Sequence, residues 1–230
     1  VATLSSEAPP APFLFRNYDY PHDAPSPPRF AGSSTYPSAQ AIRATTAAPL
    51  YFSPATIGTK TFVDGGLLAN NPSAIALHEA RTLYPRHRID CLVSIGTGKR
   101  RPCTPNTPML AHQMYLTMKT LARSATRTEE VHQILADTLP YCGIAYYRLN
   151  PPLDDKTALD ETSPEKLRKL QGIGRDSVAP GGVCATMMEE LVRRLISDGG
   201  ASGGGGGGGD GNRPVLAHSI SLDAAAASVD

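Results

Sequence analysis

Three stretches in the middle of the chain carry the clearest pattern of apolar and polar positions. Residues 89–95, IDCLVSI, form a nearly continuous apolar run before Gly96, which is typical of a strand buried on both faces of a parallel sheet. Residues 59–63 predict a shorter strand. Between the two, apolar residues at helical spacing predict a helix from Pro72 to about Tyr84. The order strand, helix, strand predicts a βαβ unit.

Weaker patterns surround this unit. The first 28 residues are rich in proline and predict irregular structure, except for a strand in the aromatic stretch at residues 13–20. Alternating strands and helices place the chain in the α/β class. The other predicted elements are a strand at residues 144–149 and helices at residues 38–47, 108–124, 128–139, from 163 onward and 185–196.

A glycine-rich stretch separates the predicted domain from a short C-terminal tail. Ten of the 21 glycines lie between residues 199 and 211, which is the composition of a flexible linker. The 19 residues that follow form a short segment of small and polar side chains, which cannot form a hydrophobic core of its own. The sequence therefore predicts an ordered domain at residues 1–197, a glycine-rich linker at residues 198–211 and a disordered tail at residues 212–230.

Composition narrows the possible functions. The 230 residues carry 22 basic and 21 acidic side chains, a net charge of +1, so nucleic acid is not an expected partner. The four cysteines are widely separated and form no CxxC pair, so no metal site is expected. No run reaches the roughly 18 apolar residues of a membrane span, and we expect no transmembrane segment.

Asp64 is the strongest candidate for chemistry. It ends a predicted strand and is followed by Gly65 and Gly66, which permit backbone angles and close approaches that other residues do not. Sheets of α/β proteins present catalytic groups beyond the carboxyl ends of their strands. The alternative is that Asp-Gly-Gly is only a turn, because Asp and Gly favour turns for local reasons.

Three segments resemble the patatin-like phospholipases in order and in spacing: ATTAAPLYFSP at residues 44–54, FVDGGLLANNPSAIALHEA at residues 62–80 and VSIGTG at residues 93–98. The resemblance extends over residues 12–196 and includes the subgroup of calcium-independent phospholipase A2-like lipid acyl hydrolases. It implies a patatin-like three-layer α/β fold, in which a mostly parallel sheet is flanked by helices.

The same resemblance implies a Ser-Asp dyad without a histidine, a metal or an organic cofactor. Asp64 would be the dyad acid, and Gly65 and Gly66 would let its loop fold tightly beside the nucleophile. The implied activity is hydrolysis of acyl esters, of the phospholipase, lysophospholipase or galactolipase type. The implied partner is a phospholipid or other acyl lipid at an interface, and the implied location is cytoplasmic or peripheral to a membrane.

The nucleophile of that dyad is missing from the sequence. In the family, a G-x-S-x-G turn and a glycine-rich oxyanion loop precede the Asp-Gly-Gly segment, and neither is found before that segment in this chain. The chain therefore resembles the C-terminal part of the catalytic domain, truncated on its N-terminal side, and supplies the aspartate but not the serine. The alternative function is a non-catalytic lipid-binding or regulatory module that lacks the nucleophile.

Overall fold

The computed structural model describes residues 1–21, 27–49, 51–100, 128–153, 161–200 and 215–220. Six helices and one short 3-10 helix, Pro140–Cys142, lie in these ranges with ten strands. The strands are β1 (Ala2–Leu4), β2 (Ala11–Phe15), β3 (Ala31–Ser33), β4 (Ala55–Ile57), β5 (Lys60–Asp64), β6 (Ile89–Ile95), β7 (Lys99–Arg100), β8 (Ala145–Leu149), β9 (Pro152–Leu153) and β10 (Val215–Ile220). The helices are α1 (Ser38–Thr45), α2 (Gly66–Ala69), α3 (Ser73–Leu83), α4 (Thr128–Thr138), α5 (Pro164–Val178) and α6 (Ala185–Gly200).

The strands form three sheets. The first has the order β3-β2-β1-β5-β4, with antiparallel pairs except for β2 and β3. The second has the order β10-β6-β8 and is parallel throughout. A third sheet consists of the short parallel pair β7 and β9. The predicted α/β class is confirmed, but the largest sheet is mainly antiparallel rather than mostly parallel.

The predicted βαβ unit is wrong, because β5 and β6 belong to different sheets. Instead, β5 forms a hairpin with the preceding strand, β4. Ile57 pairs with Lys60 across a two-residue loop, and Gly58 adopts a φ of +61°, which suits the first position of a tight hairpin turn. The other edge of β5 is taken by β1, which lies in the proline-rich stretch predicted to be irregular. Helix α3 therefore connects two sheets instead of crossing over one.

Other predicted boundaries change less. The aromatic strand is confined to Ala11–Phe15, and the predicted helices and strands beginning near residues 38, 128, 144, 163 and 185 are present at those places. The predicted helix at residues 108–124 lies outside the described residues. Within the tail predicted to be disordered, Val215–Ile220 forms β10, which pairs in parallel with an edge of β6 that would otherwise be open.

The first sheet packs its core around aromatic rings. Phe13 and Phe62 are buried with ring centroids 5.1 Å apart and planes at 61°, the edge-to-face arrangement that aromatic pairs favour. Helix α1 covers this cluster with Ala44, and Ala47 just beyond its end joins the same cluster. Because alanine has little bulk, the end of α1 can lie close to the sheet. The carbonyl oxygen of Ala47 therefore accepts a hydrogen bond from the N–H of Asp64 in β5.

The second sheet lies between layers of helices. On one side, Leu77 of α3 and Leu135 of α4 pack in a cluster with Leu92 of β6. On the other side, Leu191 of α6 packs with Cys91. Residues of β6 thus contribute to two separate clusters, as expected for a strand buried on both faces. This arrangement agrees with the predicted sheet flanked by helices.

A buried ion pair joins α3 to the first sheet. Arg16, which follows β2, donates from Nε and Nη2 to the two carboxylate oxygens of Glu79, at 2.8 and 3.1 Å. The Tyr18 hydroxyl donates to the same carboxylate at 3.1 Å. The side chains of Arg16 and Glu79 are only 5% and 7% exposed. Such a pair resists separation because removing either partner leaves a buried charge uncompensated.

Glu79→Gln tests the contribution of this ion pair to stability. The substitution leaves the Arg16 guanidinium buried without its counter-charge, so we expect the free energy of unfolding to fall by about 3–5 kcal/mol. Urea denaturation followed by circular dichroism measures the change. Glu165→Gln, at an exposed position in the first turn of α5, is the matched control and is expected to change stability by under about 0.5 kcal/mol. Equal effects of the two substitutions would contradict a buried pair.

Candidate active site

Asp64 is the last residue of β5, and its backbone is fixed from several sides. Its N–H donates to the carbonyl oxygen of Ala47 at 3.0 Å. Its carbonyl oxygen accepts from the Thr3 hydroxyl at 3.0 Å, and its register partner across the sheet is Ala2. These contacts come from β1 and from the segment after α1. The predicted candidate thus lies at the carboxyl end of a strand, as expected, but at the end of an antiparallel one.

The Asp64 carboxylate is half-buried beside the start of α2. Its Oδ1 accepts a hydrogen bond of 2.7 Å from the N–H of Gly66. Burial raises the pKa of the carboxyl above its ordinary value, although the Gly66 N–H favours the charged form and holds the rise back. A carboxylate with a raised pKa accepts a proton more readily than an ordinary one. The Asp64 carboxylate can therefore accept a proton from a neighbouring group.

Close packing, rather than an unusual backbone angle, requires glycine at position 65. Gly65 has a φ of −64°, which any residue adopts. A Cβ there would lie 2.3 Å from the carbonyl oxygen of Val1, so no side chain fits. A Cβ on Gly66 would lie 3.1 Å from Oδ1 of Asp64 and would press on the carboxylate. Of the two properties expected from paired glycines, only close approach is used.

A buried polar network lies just beyond this loop. Oδ1 of Asn71 accepts from the N–H of Ser73 at 3.2 Å and from its hydroxyl at 2.5 Å. The Ser73 and Ser94 hydroxyls are 2.9 Å apart, and Arg148 donates from Nη1 to Ser94 Oγ at 2.8 Å. On its other side, Asn71 donates from Nδ2 to the carbonyl oxygen of Thr128 at 3.3 Å. This Asn71 network connects the start of α3 to β6, β8 and α4.

Sequence reasoning missed the members of the Asn71 network. The available signal was a polar side chain in each of two buried strands, Ser94 in β6 and Arg148 in β8. These two residues are direct register partners. Because buried polar side chains need partners, two of them in neighbouring strands indicate a shared network.

Neither a metal site nor a membrane span is found in the described residues. Nowhere in the part of the chain that the structure describes do three or more His, Cys, Asp or Glu side chains cluster so that they could hold a metal ion. Across the same residues, no helix has the length and apolar character needed to cross a bilayer.

Gly65→Ala tests the close approach beside Asp64. The new methyl group would meet backbone rather than a movable side chain, so we expect the free energy of unfolding to fall by about 1–3 kcal/mol. Gly172→Ala is the matched control, because this glycine lies inside α5 and a Cβ on it would have no atom within 4 Å. The control is expected to gain about 0.5–1 kcal/mol. Thermal unfolding of both variants measures the difference, and a loss of similar size in both would contradict the steric explanation.

Asp64→Asn tests the raised pKa. A carboxyl whose pKa is higher in the folded than in the unfolded state makes the protein less stable as the pH rises through those two values. We therefore expect the variant to be more stable than the native chain at pH 7, and the difference to vanish below about pH 3, where the carboxyl is protonated in both states. Urea denaturation across this pH range measures it. Asp137→Asn, at an exposed position in α4, is the control, and a difference that does not vary with pH would contradict the raised pKa.

Residues 7–77 match the patatin-like phospholipase family. The chain is 42% identical over 166 residues to calcium-independent phospholipase A2-gamma of Mus musculus. The matched region covers 70% of this chain and 20% of that protein. It is 36% identical over 202 residues to Phospholipase A I of Arabidopsis thaliana, covering 74% of this chain and 15% of the relative. It is 29% identical over 161 residues to Patatin-like phospholipase 1 of Plasmodium falciparum, covering 61% and 24%.

The chain spans about a fifth of the length of the mammalian relatives that it matches. The family match begins before β2 and ends within α3, so it includes Asp64, both glycines of the loop and Asn71. Most of the first sheet and the loop that carries the candidate base are therefore the part of the fold that this match covers. On these matches, the chain belongs to the patatin-like phospholipase family.

Proposed function

We propose that this chain is part of a lipid acyl hydrolase in which Asp64 is the general base of a Ser-Asp dyad. The observation that carries the proposal is the half-buried carboxylate of Asp64, which has a raised pKa and lies inside the segment that matches the patatin-like phospholipases. The phospholipase names of the relatives support the substrate class. The substrate is then a phospholipid or another acyl lipid, presented at a membrane or lipid interface.

The reaction proceeds by covalent acyl transfer. The serine hydroxyl attacks the ester carbonyl while its proton passes to the carboxylate of Asp64. When the tetrahedral intermediate collapses, the bond to the leaving alcohol breaks and the alcohol takes the proton from Asp64. Water then attacks the acyl-enzyme and gives a proton to Asp64. The bond between the acyl group and the serine oxygen breaks, the proton returns from Asp64 to that oxygen, and a fatty acid is released. For a phospholipid, the first product is a lysophospholipid.

The environment of Asp64 suits this role. A general base works best when its pKa approaches the working pH, and burial moves the pKa of the Asp64 carboxyl in that direction. The Gly66 N–H leaves the carboxylate charged enough to act as a base, because it stabilises the charged form through Oδ1. The close approach of backbone at Gly65 keeps this loop compact beside the strand end.

No G-x-S-x-G precedes Asp64 in these 230 residues, and the one string of that form, at residues 200–204, follows Asp64 in the glycine-rich stretch. We therefore propose that this chain contributes the aspartate and that the serine is supplied by sequence outside it. The same observation favours the second candidate, a non-catalytic module that binds lipid without hydrolysing it. The two candidates differ in one measurable property, which is turnover of an ester.

Asp64→Asn in the gene product of the source cells tests the proposed base. We expect hydrolysis of a radiolabelled phosphatidylcholine to fall by roughly 10²- to 10⁴-fold, the usual contribution of a general base. Asp137→Asn, exposed on α4, is the matched control and is expected to retain the native rate. Unchanged turnover in the Asp64 variant would exclude it as the base.

Labelling of the same gene product with a fluorophosphonate probe separates the two candidate functions. The enzyme is expected to be labelled on a serine outside these 230 residues, as mapped by mass spectrometry of the labelled peptide. A product that binds lipid vesicles and is not labelled would support the non-catalytic module.

A further inference from the structure

The loop that carries Asp64 is anchored at both of its ends. At its start, the Asp64 backbone is held by Ala47 and Thr3, both from the side of the first sheet. At its other end, Asn71 is held by Ser73, Ser94 and Thr128. The short helix α2, a single turn at Gly66–Ala69, lies between these anchors at Asp64 and Asn71. A shift of Asn71 therefore moves the turn whose first N–H donates to the Asp64 carboxylate.

The second anchor belongs to the second sheet. Ser94 lies in β6 and Arg148 lies in β8, and these residues are 0% and 6% exposed. Asn71 uses both ends of its amide, since its oxygen accepts from Ser73 and Ser94 while its nitrogen donates to Thr128. Alanine at position 71 would leave these buried groups without that partner.

We infer that Asn71 is a positioning residue for Asp64: through Ser73 and Ser94 it fixes the loop to the second sheet and keeps the Gly66 N–H on the Asp64 carboxylate. The inference rests on the proposed function, in which Asp64 is the general base. It assigns to the buried Asn71 network a role in holding the base, in addition to its contribution to stability. Both sheets then contribute to the geometry of one carboxylate.

Amide hydrogen exchange at Gly66 tests the inference in the chain itself, by NMR. We expect Asn71→Ala to speed exchange of the Gly66 N–H by about tenfold, because the turn opens locally when its anchor is lost. Exchange of the Asp64 N–H, which is held by Ala47, is expected to stay unchanged. Ser177→Ala is the matched control: it removes a buried hydroxyl that donates to the Gly174 carbonyl oxygen in α5, outside the Asn71 network.

Ser94→Ala provides a second, milder variant in case Asn71→Ala does not fold. It leaves the loop sequence intact and removes the Ser94 hydroxyl that contacts Asn71, Ser73 and Arg148, so faster exchange at Gly66 would show that the coupling crosses between the sheets. Gly66 exchange no faster than in Ser177→Ala would overturn the inference.

The titration of the Asp64 carboxyl, followed by its ¹³C shift, is an additional readout that a general loss of stability does not move. We expect its midpoint in Asn71→Ala to shift from that of the native chain, because the carboxylate loses the Gly66 N–H that favours its charged form and a loosened loop changes the burial that raises its pKa. A midpoint equal to that of the native chain would contradict the inference. Neither readout requires hydrolysis, so an inactive gene product would defeat the proposed function without deciding this test.

Discussion

Buried polar contacts along α3 hold the two main sheets together. At its first turn, Ser73 joins Asn71 to Ser94 of the second sheet, and in its middle Glu79 binds Arg16 beside the first sheet. Polar groups in these positions have lost their contacts with water, so each must find a partner of defined geometry. Apolar packing alone would allow the sheets to slide, whereas these directional contacts favour one relative position.

The position of Asp64 follows from that arrangement. Its strand belongs to the first sheet, but the loop that follows leads within a few residues into the network of the second. The carboxylate therefore lies where two bodies of the fold meet, half-buried and with a single short helical turn beside it. Burial of a charged group costs stability, and proteins retain such costs most often where the group has a function.

The family match and the geometry point to the same part of the chain. The match ends at residue 77, within α3, and thus covers most of the first sheet, the Asp64 loop and the first members of the network. Ser94 and Arg148 lie beyond it, in the second sheet. The second sheet supports the loop from outside the matched segment, which is consistent with a scaffold that positions a site rather than forming it.

The sequence by itself determined the local features: the buried strand at Ile89–Ile95, the helix after Pro72, and Asp64 with two glycines at a strand end. Each depends on neighbours within a few residues, such as the apolar run, the spacing of apolar residues and the small side chains beside Asp64. Only the tertiary structure decided which strands pair. Pairing joins residues far apart in sequence, and the hairpin at Gly58 together with β1 took the edges of β5 that a βαβ unit would have used. The Asn71 network was hidden for the same reason, because Asn71, Ser94 and Arg148 become neighbours only when both sheets have formed.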